Sequence, residues 1–300
     1  MKRVVIAGGT GLIGSHLSRM LSAEGYEVVH LTRKIREGGS YKSFRWDPDQ
    51  GYCDADAFRD GDAIINLAGA NLGARPWTKA RRRDIIKSRT VTAELLFRST
   101  AGHGIRPLVY VTASGVNYYG SSSTGNIYEE NDPPGDDFLG ETCRLWEAAA
   151  DPFEAAGTRV VKLRTAVVLA PAGSALSKMT FPARAGLIVR FGPGNQYFPW
   201  IHIDDLCRIY LKAVSDSAMN GPYNASAPDH QTHDMLMAGV AKQKRLPILL
   251  PHLPAWLLRA LMGEMSVILT AGNMISPERI ISSGFAFRYP ELAPALRDCL

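Results

Sequence analysis

Short apolar runs alternate with amphipathic stretches through the first half of the chain. Residues 4–7 are of buried type, and apolar positions at helical spacing follow between Leu12 and Leu21. The pattern recurs, so strands are predicted over 27–32, 62–70, 107–112 and 159–163, and helices over 79–101 and 139–156. Strands and helices that alternate at this spacing predict an α/β fold, a Rossmann-type doubly wound parallel sheet with right-handed crossovers.

The second half of the chain is less regular. Its predicted elements are a helix over 176–184, a loop with strand character over 186–194, and a segment at 197–206 leading into a helix that ends near Val214. After Pro228, prolines divide three or four short helices.

We therefore expect two domains. A nucleotide-binding Rossmann domain is assigned to 1–170, and a smaller, mostly helical domain to 171–300, which includes a helical extension over 250–300. Some later segments are expected to return to the first domain. The substrate cleft is expected between the two, at the carboxyl ends of the strands.

Glycines mark the turn between the first strand and the first helix. Gly8, Gly11 and Gly14 fall where the chain passes from strand to helix. Such a turn offers unpaired amides and the positive end of a helix dipole, and glycine lets phosphates approach that backbone. The alternative is a tight structural turn. The predicted dinucleotide contacts of this segment are Gly8, Thr10, Gly11, Leu12, Ile13 and Gly14.

The end of the second strand indicates which dinucleotide binds. An acidic residue there accepts from the ribose hydroxyls of NAD, whereas a basic one pairs with the 2′-phosphate of NADP. This strand ends in Thr32, Arg33 and Lys34, with no carboxylate before Glu37. The sequence therefore favours NADP(H), unless both cations are simply exposed loop residues.

Small residues end the third predicted strand. Ala68, Gly69 and Ala70 leave room for a cofactor that crosses the carboxyl edge of the sheet. We predict that Leu67, Ala68 and Gly69 contact the cofactor.

Composition adds limits to this interpretation. The 300 residues are 46% hydrophobic and 21% charged, as in ordinary globular proteins. The four cysteines are widely spaced, which argues against a zinc site or a disulfide framework and fits a reducing compartment. No signal peptide or membrane-spanning run is recognised. We expect a cytoplasmic protein, or an organelle-luminal one imported by an unrecognised signal.

The net charge is +5, and the densest basic cluster lies on the predicted helix 79–101. A nucleic-acid interface is one interpretation of such a cluster. A solvated helix face, or support for an anionic cofactor, explains it equally simply. No nucleic-acid-binding motif accompanies it, so we predict neither a nucleic-acid partner nor a membrane partner.

Taken together, these motifs resemble the extended short-chain dehydrogenase/reductases, the superfamily of sugar-nucleotide epimerases and dehydratases. More narrowly, the chain is similar to an atypical epimerase subgroup, the 39U class, whose C-terminal extension has no known function. The resemblance covers essentially the whole chain. Besides the glycine turn it rests on Arg45-Trp46-Asp47-Pro48, Asn66-Leu67-Ala68-Gly69, Ser88-Arg89, Tyr118-Tyr119-Gly120, Trp146-Glu147, Asn195-Gln196, Trp200-Ile201-His202-Ile203-Asp204-Asp205 and Gly284-Phe285-Ala286-Phe287-Arg288-Tyr289-Pro290.

The chain departs from this superfamily at its acid/base pair. The superfamily uses a tyrosine and a lysine four residues apart on a helix, where the cation lowers the pKa of the phenol. None of the eleven tyrosines here has a lysine four residues later. Alignment of the helix by Glu147 places Leu139 at the tyrosine position and Cys143 at the lysine position.

The resemblance leaves two candidate catalytic residues. Ser114 stands where the superfamily hydrogen-bonds a carbonyl, and Tyr118 is a candidate substitute acid, as is the adjacent Tyr119. Both tyrosines have an alternative role in packing a turn beneath the cofactor. Cys143 has the chemistry of a nucleophile, but a buried helix cysteine is the plainer interpretation.

The resemblance also assigns residues further along the chain. Asp84, Arg89, Arg164 and Val168 would contact the cofactor, with exposed charges or a salt bridge as the alternative for the charged residues. Gln196 and Trp200, together with Tyr197, would line the substrate pocket, with core packing as the alternative for Trp200. His202 and Asp204 have the form of an acid/base pair, although the superfamily uses this segment mainly to cap a helix. We predict no metal site.

Two functions remain open at this point. One is an NADP(H)-dependent oxidoreductase or epimerase that acts on an unknown small molecule. The other is an NADP(H)-binding or redox-sensing protein without chemistry, acting through a partner. The missing Tyr/Lys pair favours the second function, and an intact cofactor site favours the first, to which we lean. A homodimer is compatible with either.

Overall fold

The computed structural model describes residues 2–35, 38–121, 125–248 and 251–300. The strands are β1 Arg3–Ala7, β2 Glu27–Thr32, β3 Lys42–Asp47, β4 Tyr52–Cys53, β5 Ala63–Asn66, β6 Val109–Gly115, β7 Ile127–Tyr128, β8 Arg159–Thr165, β9 Val167–Leu169, β10 Trp200–His202, β11 Gly221–Ala225 and β12 Met274–Ile275. The α-helices are α1 Leu12–Ala23, α2 Lys79–Ala101, α3 Phe138–Ala148, α4 Asp151–Ala155, α5 Ala175–Met179, α6 Ile203–Ser215, α7 His233–Lys244, α8 Ala255–Met262, α9 Val267–Thr270, α10 Glu278–Ser282 and α11 Leu292–Cys299.

Eight strands form the central sheet in the order β11-β8-β6-β5-β1-β2-β3-β4. All neighbours pair in parallel except β3 and β4, which are antiparallel. The order reverses between β1 and β5, which places a crevice at the carboxyl ends of these two strands. The predicted α/β fold with a doubly wound parallel sheet is confirmed.

Two predicted elements differ in extent. The helix expected over 139–156 is two helices, α3 and α4, because Pro152 lies in the first turn of α4 and cannot continue the hydrogen-bond ladder of α3. Strand β11 was not predicted, since Gly221 and Pro222 at its start are typical of a turn. It lies at the edge of the sheet, where proline is tolerated.

Two hydrophobic layers cover the sheet. On one face α1 and α6 pack against each other and against the strands, with Leu17, Leu21 and Leu206 fully buried. On the other face α2 contributes Leu95 and Leu96. The strands are therefore buried on both sides, which explains why the sequence shows them as continuous apolar runs.

The C-terminal half contains more helices than the three or four predicted after Pro228. In the described part of this region there are five, α7 to α11. Two of them, α7 and α11, contribute Leu236 and Leu292 to a third core that also contains Trp200 of β10. Because β11 returns to the main sheet, this region is not separate from the first half in space, and the domain boundary at residue 170 stays a prediction. No described helix is long and apolar enough to span a bilayer.

The start of α6 holds the C-terminal extension in place. His202 caps the helix, its Nδ1 accepting from the amide of Asp204 at 3.2 Å. The carboxylate of Asp205 accepts from the amides of Arg288 and Tyr289, each at 2.8 Å. The structure therefore gives this segment the capping and docking role rather than that of an acid/base pair.

One buried histidine near α7 makes stability depend on pH. His233 is 1% exposed, and neither ring nitrogen has a hydrogen-bond partner among the described residues. Burial lowers the pKa of His233 from 6.5 to about 4, with a smaller opposing effect of Asp234. The unfolded chain therefore binds a proton at His233 more tightly than the folded chain does. The contribution of this group to the free energy of unfolding is fully present above pH 6.5 and is lost as the pH falls towards 4.

We expect about 2 kcal/mol of unfolding free energy to be lost from this group between pH 7 and pH 5. His233→Phe is expected to remove that part of the pH dependence, measured by urea unfolding at both values. The exposed His103 serves as a control, and His103→Gln is expected to retain the wild-type difference. An unchanged pH difference in His233→Phe would contradict the assignment.

Candidate functional site

The turn between β1 and α1 is a backbone cradle formed by glycines. Gly8 has a φ of +86°, and a Cβ there would stand 3.0 Å from the carbonyl carbon of Leu67. A Cβ on Gly14 would overlap the carbonyl oxygen of Gly8 and lie 2.7 Å from the Cα of Gly9. Glycine is required at both positions, because a side chain would force apart the turn, the helix and the neighbouring strand end.

The N-terminus of α1 opens from this cradle without a side-chain cap. Gly11 occupies the N-cap position, and Thr10, Gly11 and Leu12 are exposed, while Ile13 is half-buried. The first amides of the helix point outward, and the helix dipole adds positive potential there. This arrangement fits the pyrophosphate of a dinucleotide.

The carboxyl end of β2 presents two cations. Thr32 fixes the turn, its hydroxyl donating to the carbonyl oxygen of Lys34 at 3.0 Å. Arg33 and Lys34 are exposed, and neither forms an ion pair with any described residue. Glu37, the first carboxylate after the strand, lies outside the described residues. Two exposed cations at this strand end fit a 2′-phosphate better than a pair of ribose hydroxyls.

Asn66 fixes the end of β5 beside the glycine cradle. Its Oδ1 accepts from the amide of Ala68 at 3.1 Å, and its Nδ2 donates to the hydroxyl of Tyr110 at 3.0 Å. Leu67 and Ala68 are half-buried and Gly69 is exposed. The backbone at this point is therefore both rigid and accessible from the carboxyl edge of the sheet.

Arg89 is a buried cation at the same edge. Its guanidinium donates to the carbonyl oxygens of Ile85 at 2.9 Å and Ala70 at 3.2 Å, and lies 4.7 Å from the ring centre of Trp146. It forms no ion pair within the described residues, and burial lowers its pKa to about 10. A cation with only neutral partners beside Gly69 gives this edge a positive potential.

The other two residues predicted on this edge are placed less distinctively. Asp84 is exposed on the second turn of α2 and makes no hydrogen bond or ion pair within the described ranges. Val168 is half-buried in β9, where it pairs with Ile201 of β10. Their contact with a cofactor stays a prediction.

Arg164 lies in a buried ion pair instead of at the cofactor edge. It is the penultimate residue of β8, and its guanidinium donates to both carboxylate oxygens of Glu147, at 2.9 Å and 3.0 Å. A third nitrogen donates to the hydroxyl of Tyr119 and the carbonyl oxygen of Glu130. Burial opposes the charge, but the bonds to Glu147 raise the pKa of Arg164 overall. The salt bridge is therefore the role the geometry gives it.

Ser114 belongs to the same buried cluster. It is 4% exposed, and its hydroxyl donates to Oε1 of Glu147 at 2.8 Å. The hydroxyl proton is used in this bond, and a contact of Ser114 with a substrate carbonyl stays a prediction. The sequence alone does not show this bond, because Glu147 is 33 residues further along the chain.

The two tyrosines lie beside this ion pair. Tyr119 is buried and donates to Oδ1 of Asn224 at 2.7 Å, and burial raises its pKa to about 12 despite the neighbouring Arg164. Tyr118 is half-buried, and its ring lies 3.4 Å from the guanidinium of Arg164. Both therefore pack around Arg164, which is the alternative considered for them, and the role of Tyr118 as an acid stays a prediction.

The positions of the missing acid/base pair are apolar. Leu139 is 2% exposed and Cys143 is 6% exposed on α3. Burial and the nearby Glu147 raise the pKa of the Cys143 thiol to about 12. A thiol held protonated in this way is not a nucleophile near neutral pH, so the structure supports the plainer interpretation of this cysteine.

Gln196 and Trp200 are both buried. Trp200 is 1% exposed, and its indole donates to the carbonyl oxygen of Asp229 at 2.9 Å. The amide of Gln196 donates to the carbonyl oxygens of Phe191 and Leu269, at 2.8 Å and 2.9 Å. This burial fits the core packing that was the alternative for Trp200, and the assignment of both residues to the substrate pocket stays a prediction.

A cavity of about 600 Å³ lies elsewhere, where the fold brings three separate segments together. Its walls are the loop after β5, the residues around the start of α3, and the C-terminal extension over 255–270. Six of its thirteen lining residues are apolar, namely Trp77, Phe138, Leu139, Ala255, Trp256 and Val267. Sequence reasoning missed this cavity, although Leu139 was recognised as unusual.

Contacts within the protein use much of the basic cluster on α2. Arg82 forms an ion pair with Glu264 and lies over the ring of Phe138. Arg81 donates to the carbonyl oxygen of Asn71 at 2.7 Å, and Arg89 is buried. These cations help to fold the loop after β5 and the extension around the cavity.

A second group of ligand-type atoms lies at the C-terminus. Side-chain atoms of His202, Asp298 and Cys299 fall within 4.8 Å of one another. His202 already accepts from the amide of Asp204 through Nδ1, so its Nε2 carries the proton that it shares with Asp298 at 3.2 Å. This hydrogen bond docks α11, and we propose no metal there.

Comparison with known proteins supports this description. Residues 4–226 match the family model of the NAD dependent epimerase/dehydratase family, and residues 253–299 match a domain of unknown function, DUF1731. Epimerase family protein ML0860 of Mycobacterium leprae is 34% identical over 294 residues, which are 98% of this chain and 94% of that protein.

Solved structures agree with the sequence comparison. Human epimerase family protein SDR39U1, crystallised with NADPH, is 33% identical, with a TM-score of 0.87 and coverage of 99% of this chain and 98% of that one. A nucleoside-diphosphate sugar epimerase from Corynebacterium glutamicum is 29% identical, with a TM-score of 0.79, and the match covers 99% of this chain and 58% of that one. The chain belongs to the NAD dependent epimerase/dehydratase family, and it carries the C-terminal extension that its resemblance to the atypical subgroup had predicted.

Proposed function

We propose that this protein is an NADP(H)-dependent oxidoreductase. The observation that carries the proposal is the glycine cradle at Gly8 and Gly14, joined to the exposed cations Arg33 and Lys34, which have no ion-pair partner among the described residues, at the end of the neighbouring strand. The human relative with the same architecture was crystallised with NADPH. The cofactor would supply a hydride, and the chain would bind and orient it.

Each part of the carboxyl edge would hold a different part of the dinucleotide. The cradle and the first turn of α1 would bind the pyrophosphate, and Arg33 with Lys34 would bind the 2′-phosphate. Leu67, Ala68, Gly69 and Val168, together with Asp84 and Arg89, would bind the remaining sugar and base surfaces. Arg164 has no part in this proposal, because its guanidinium is held by Glu147.

Arg33→Ala is expected to weaken NADPH binding about tenfold or more, because a charge-assisted contact to the 2′-phosphate is lost. NADH affinity is expected to change by less than about twofold, since NADH lacks this phosphate. Both dissociation constants are measured by nucleotide fluorescence titration. Arg297→Ala, an exposed arginine on α11, controls for net charge and is expected to leave both unchanged. Equal losses for the two nucleotides would show that Arg33 does not bind the 2′-phosphate.

The second candidate function is an NADP(H)-binding protein without chemistry. Leu139 favours it, because a leucine at the position of the superfamily's acid cannot donate a proton, and the hydroxyl of Ser114 is used in a bond to Glu147. To separate the two, we would follow reduced nicotinamide absorbance with carbonyl compounds, nucleotide sugars and quinones. NADPH binding without turnover across all three classes would reject the oxidoreductase and leave the binding protein.

A further inference from the structure

We propose, building on the oxidoreductase function above, that the cavity at Leu139 binds a flat apolar hydride acceptor of the quinone class. The inference concerns the substrate only. It is argued from the position of the cavity, the side chains and charges of its walls, and the leucine at the position of the superfamily's acid.

The cavity lies at the edge of the sheet where the cofactor is proposed to bind. Trp77 belongs to the loop that leaves the carboxyl end of β5, and Ser121 follows the carboxyl end of β6. None of the described residues that line the cavity belongs to the glycine turn or to 67–70, so a second molecule has space beside the dinucleotide. A volume of about 600 Å³ is in the range of small-molecule sites.

The walls of the cavity suit an aromatic ring. The indole of Trp77 packs against Phe138 with ring centres 5.0 Å apart, which fixes one wall. Trp256 on α8 lines the cavity, yet it is 71% exposed. An exposed tryptophan at the mouth of an apolar cavity gains burial and ring stacking when a flat ligand enters.

The charged side chains that line the cavity sum to zero, because Arg82 and Arg259 stand against Asp137 and Glu264. Arg82 is paired with Glu264, and the carboxylate of Asp137 accepts from the amides of Gly140 and Ser121, each at 2.8 Å. Arg259 is then the cation of the lining that has no ion-pair partner among the described residues. A nucleoside diphosphate brings a doubly charged pyrophosphate, which this lining would compensate poorly, whereas a neutral ring needs no compensation.

The lining offers hydroxyl groups on Ser121, Ser266 and Thr270, but Leu139 replaces the superfamily's acid and no described lining residue is a lysine that would activate a hydroxyl, which selects among neutral acceptors. Hydride addition to a ketone gives an alkoxide, a strong base that needs an acid beside it. Hydride addition to a quinone gives the anion of a hydroquinone, a phenolate whose conjugate acid has a pKa near 10, as for tyrosine. Such an anion is stable enough to take its proton from water after the hydride has moved.

The overall reaction balances without a further reactant. The quinone accepts a hydride from the nicotinamide C4 of NADPH and a proton from water, and hydroquinone and NADP⁺ are released. Two electrons pass from the nucleotide to the quinone. The side chains of the cavity hold the ring, and they are not required to transfer a proton.

The test uses the full chain with NADPH and menadione, a methyl-naphthoquinone, beside acetaldehyde, and UDP-glucose is assayed with NADP⁺, because it can donate a hydride but has no carbonyl group to accept one. We expect NADPH oxidation with menadione above the protein-free rate, none with acetaldehyde, and no reduction of NADP⁺ with UDP-glucose. Binding is measured separately, as quenching of tryptophan fluorescence when menadione is added to the protein with NADP⁺.

Two variants of α8 test the location. Trp256→Ala is expected to raise the KM and the fluorescence-derived Kd for menadione at least fivefold without changing the Kd of NADPH. Leu261→Ala on the same helix is the matched control, since Leu261 is 73% exposed and does not line the cavity. Equal effects of the two substitutions would overturn the assignment to this cavity.

The possible outcomes test the quinone substrate class separately from the proposed oxidoreductase function. Turnover of acetaldehyde or UDP-glucose without menadione would overturn the quinone class and leave the oxidoreductase. NADPH binding without turnover of any acceptor would overturn both the quinone class and the oxidoreductase. Failure to bind NADPH would overturn the cofactor assignment itself.

Discussion

Glu147→Gln is expected to lower the free energy of unfolding by about 3–5 kcal/mol, because it leaves the buried guanidinium of Arg164 without a counter-charge. Both residues are almost completely buried, and the pair is bidentate. Glutamine keeps the volume of the side chain, so the loss reports charge and hydrogen bonding more than packing. It also disturbs the bond from Ser114, which uses the same carboxylate.

The same helix supplies the control for this prediction. Glu141 pairs with Arg144 at 2.7 Å, but both side chains are about half exposed. Glu141→Gln is expected to cost less than about 1 kcal/mol, as for other surface pairs. Chemical denaturation of the two variants beside wild type measures both values. If the two substitutions cost the same, Arg164 is better solvated than the structure indicates.

Gly14→Ala is expected to abolish or severely weaken NADPH binding, by well over tenfold. The added Cβ would meet Gly8 and Gly9 at backbone atoms, which cannot move aside as a side chain can. The glycine turn would have to open, which would carry the amides of the cradle away from the phosphates. We also expect a loss of about 1–3 kcal/mol of stability from the overpacked site.

Nucleotide titration and thermal unfolding test this second prediction. Gly73→Ala provides the control, since a Cβ there would lie 3.7 Å from Oδ1 of Asn71, an ordinary contact. That variant should bind NADPH like wild type and unfold at a similar temperature. Wild-type affinity in Gly14→Ala would show that the phosphates are held elsewhere.

The buried cluster changes how the missing acid/base pair is understood. In this chain Ser114, Tyr119 and Arg164 all lie in one hydrogen-bonded group around Glu147. These polar residues lie near the positions of the superfamily's acid/base pair, and their hydrogen bonds join strands β6 and β8 to helix α3. We infer that this part of the site supports the fold beneath the cofactor edge and that reaction chemistry depends on the cofactor and the acceptor.

The position of the C-terminal extension could not be predicted from the sequence. Its prolines and short apolar stretches predict helices but no position for them. In the structure residues 255–270 close one side of the cavity, and Glu264 pairs with Arg82 of α2. The extension therefore supplies seven of the thirteen residues that line the cavity.

Local sequence determined the elements and the cofactor cradle. Helix α2 begins and ends where its periodicity predicts, and the glycines at 8 and 14 are required by clashes within a single turn. The doubly wound parallel sheet also followed, because alternating strands and helices leave few right-handed arrangements. Each of these features depends on residues only a few positions apart, so a sequence contains the information directly.

Tertiary structure alone decided which side chains were free to act. Arg164 was predicted at the cofactor and Trp200 at the substrate, but one is neutralised by a residue 17 positions away and the other is buried in a core to which α7 and α11 contribute. The pairing of a charge, or the burial of a ring, depends on which distant segments meet at one edge of the sheet. Which segments come together is determined by packing across the whole chain, and a local sequence pattern does not contain that information.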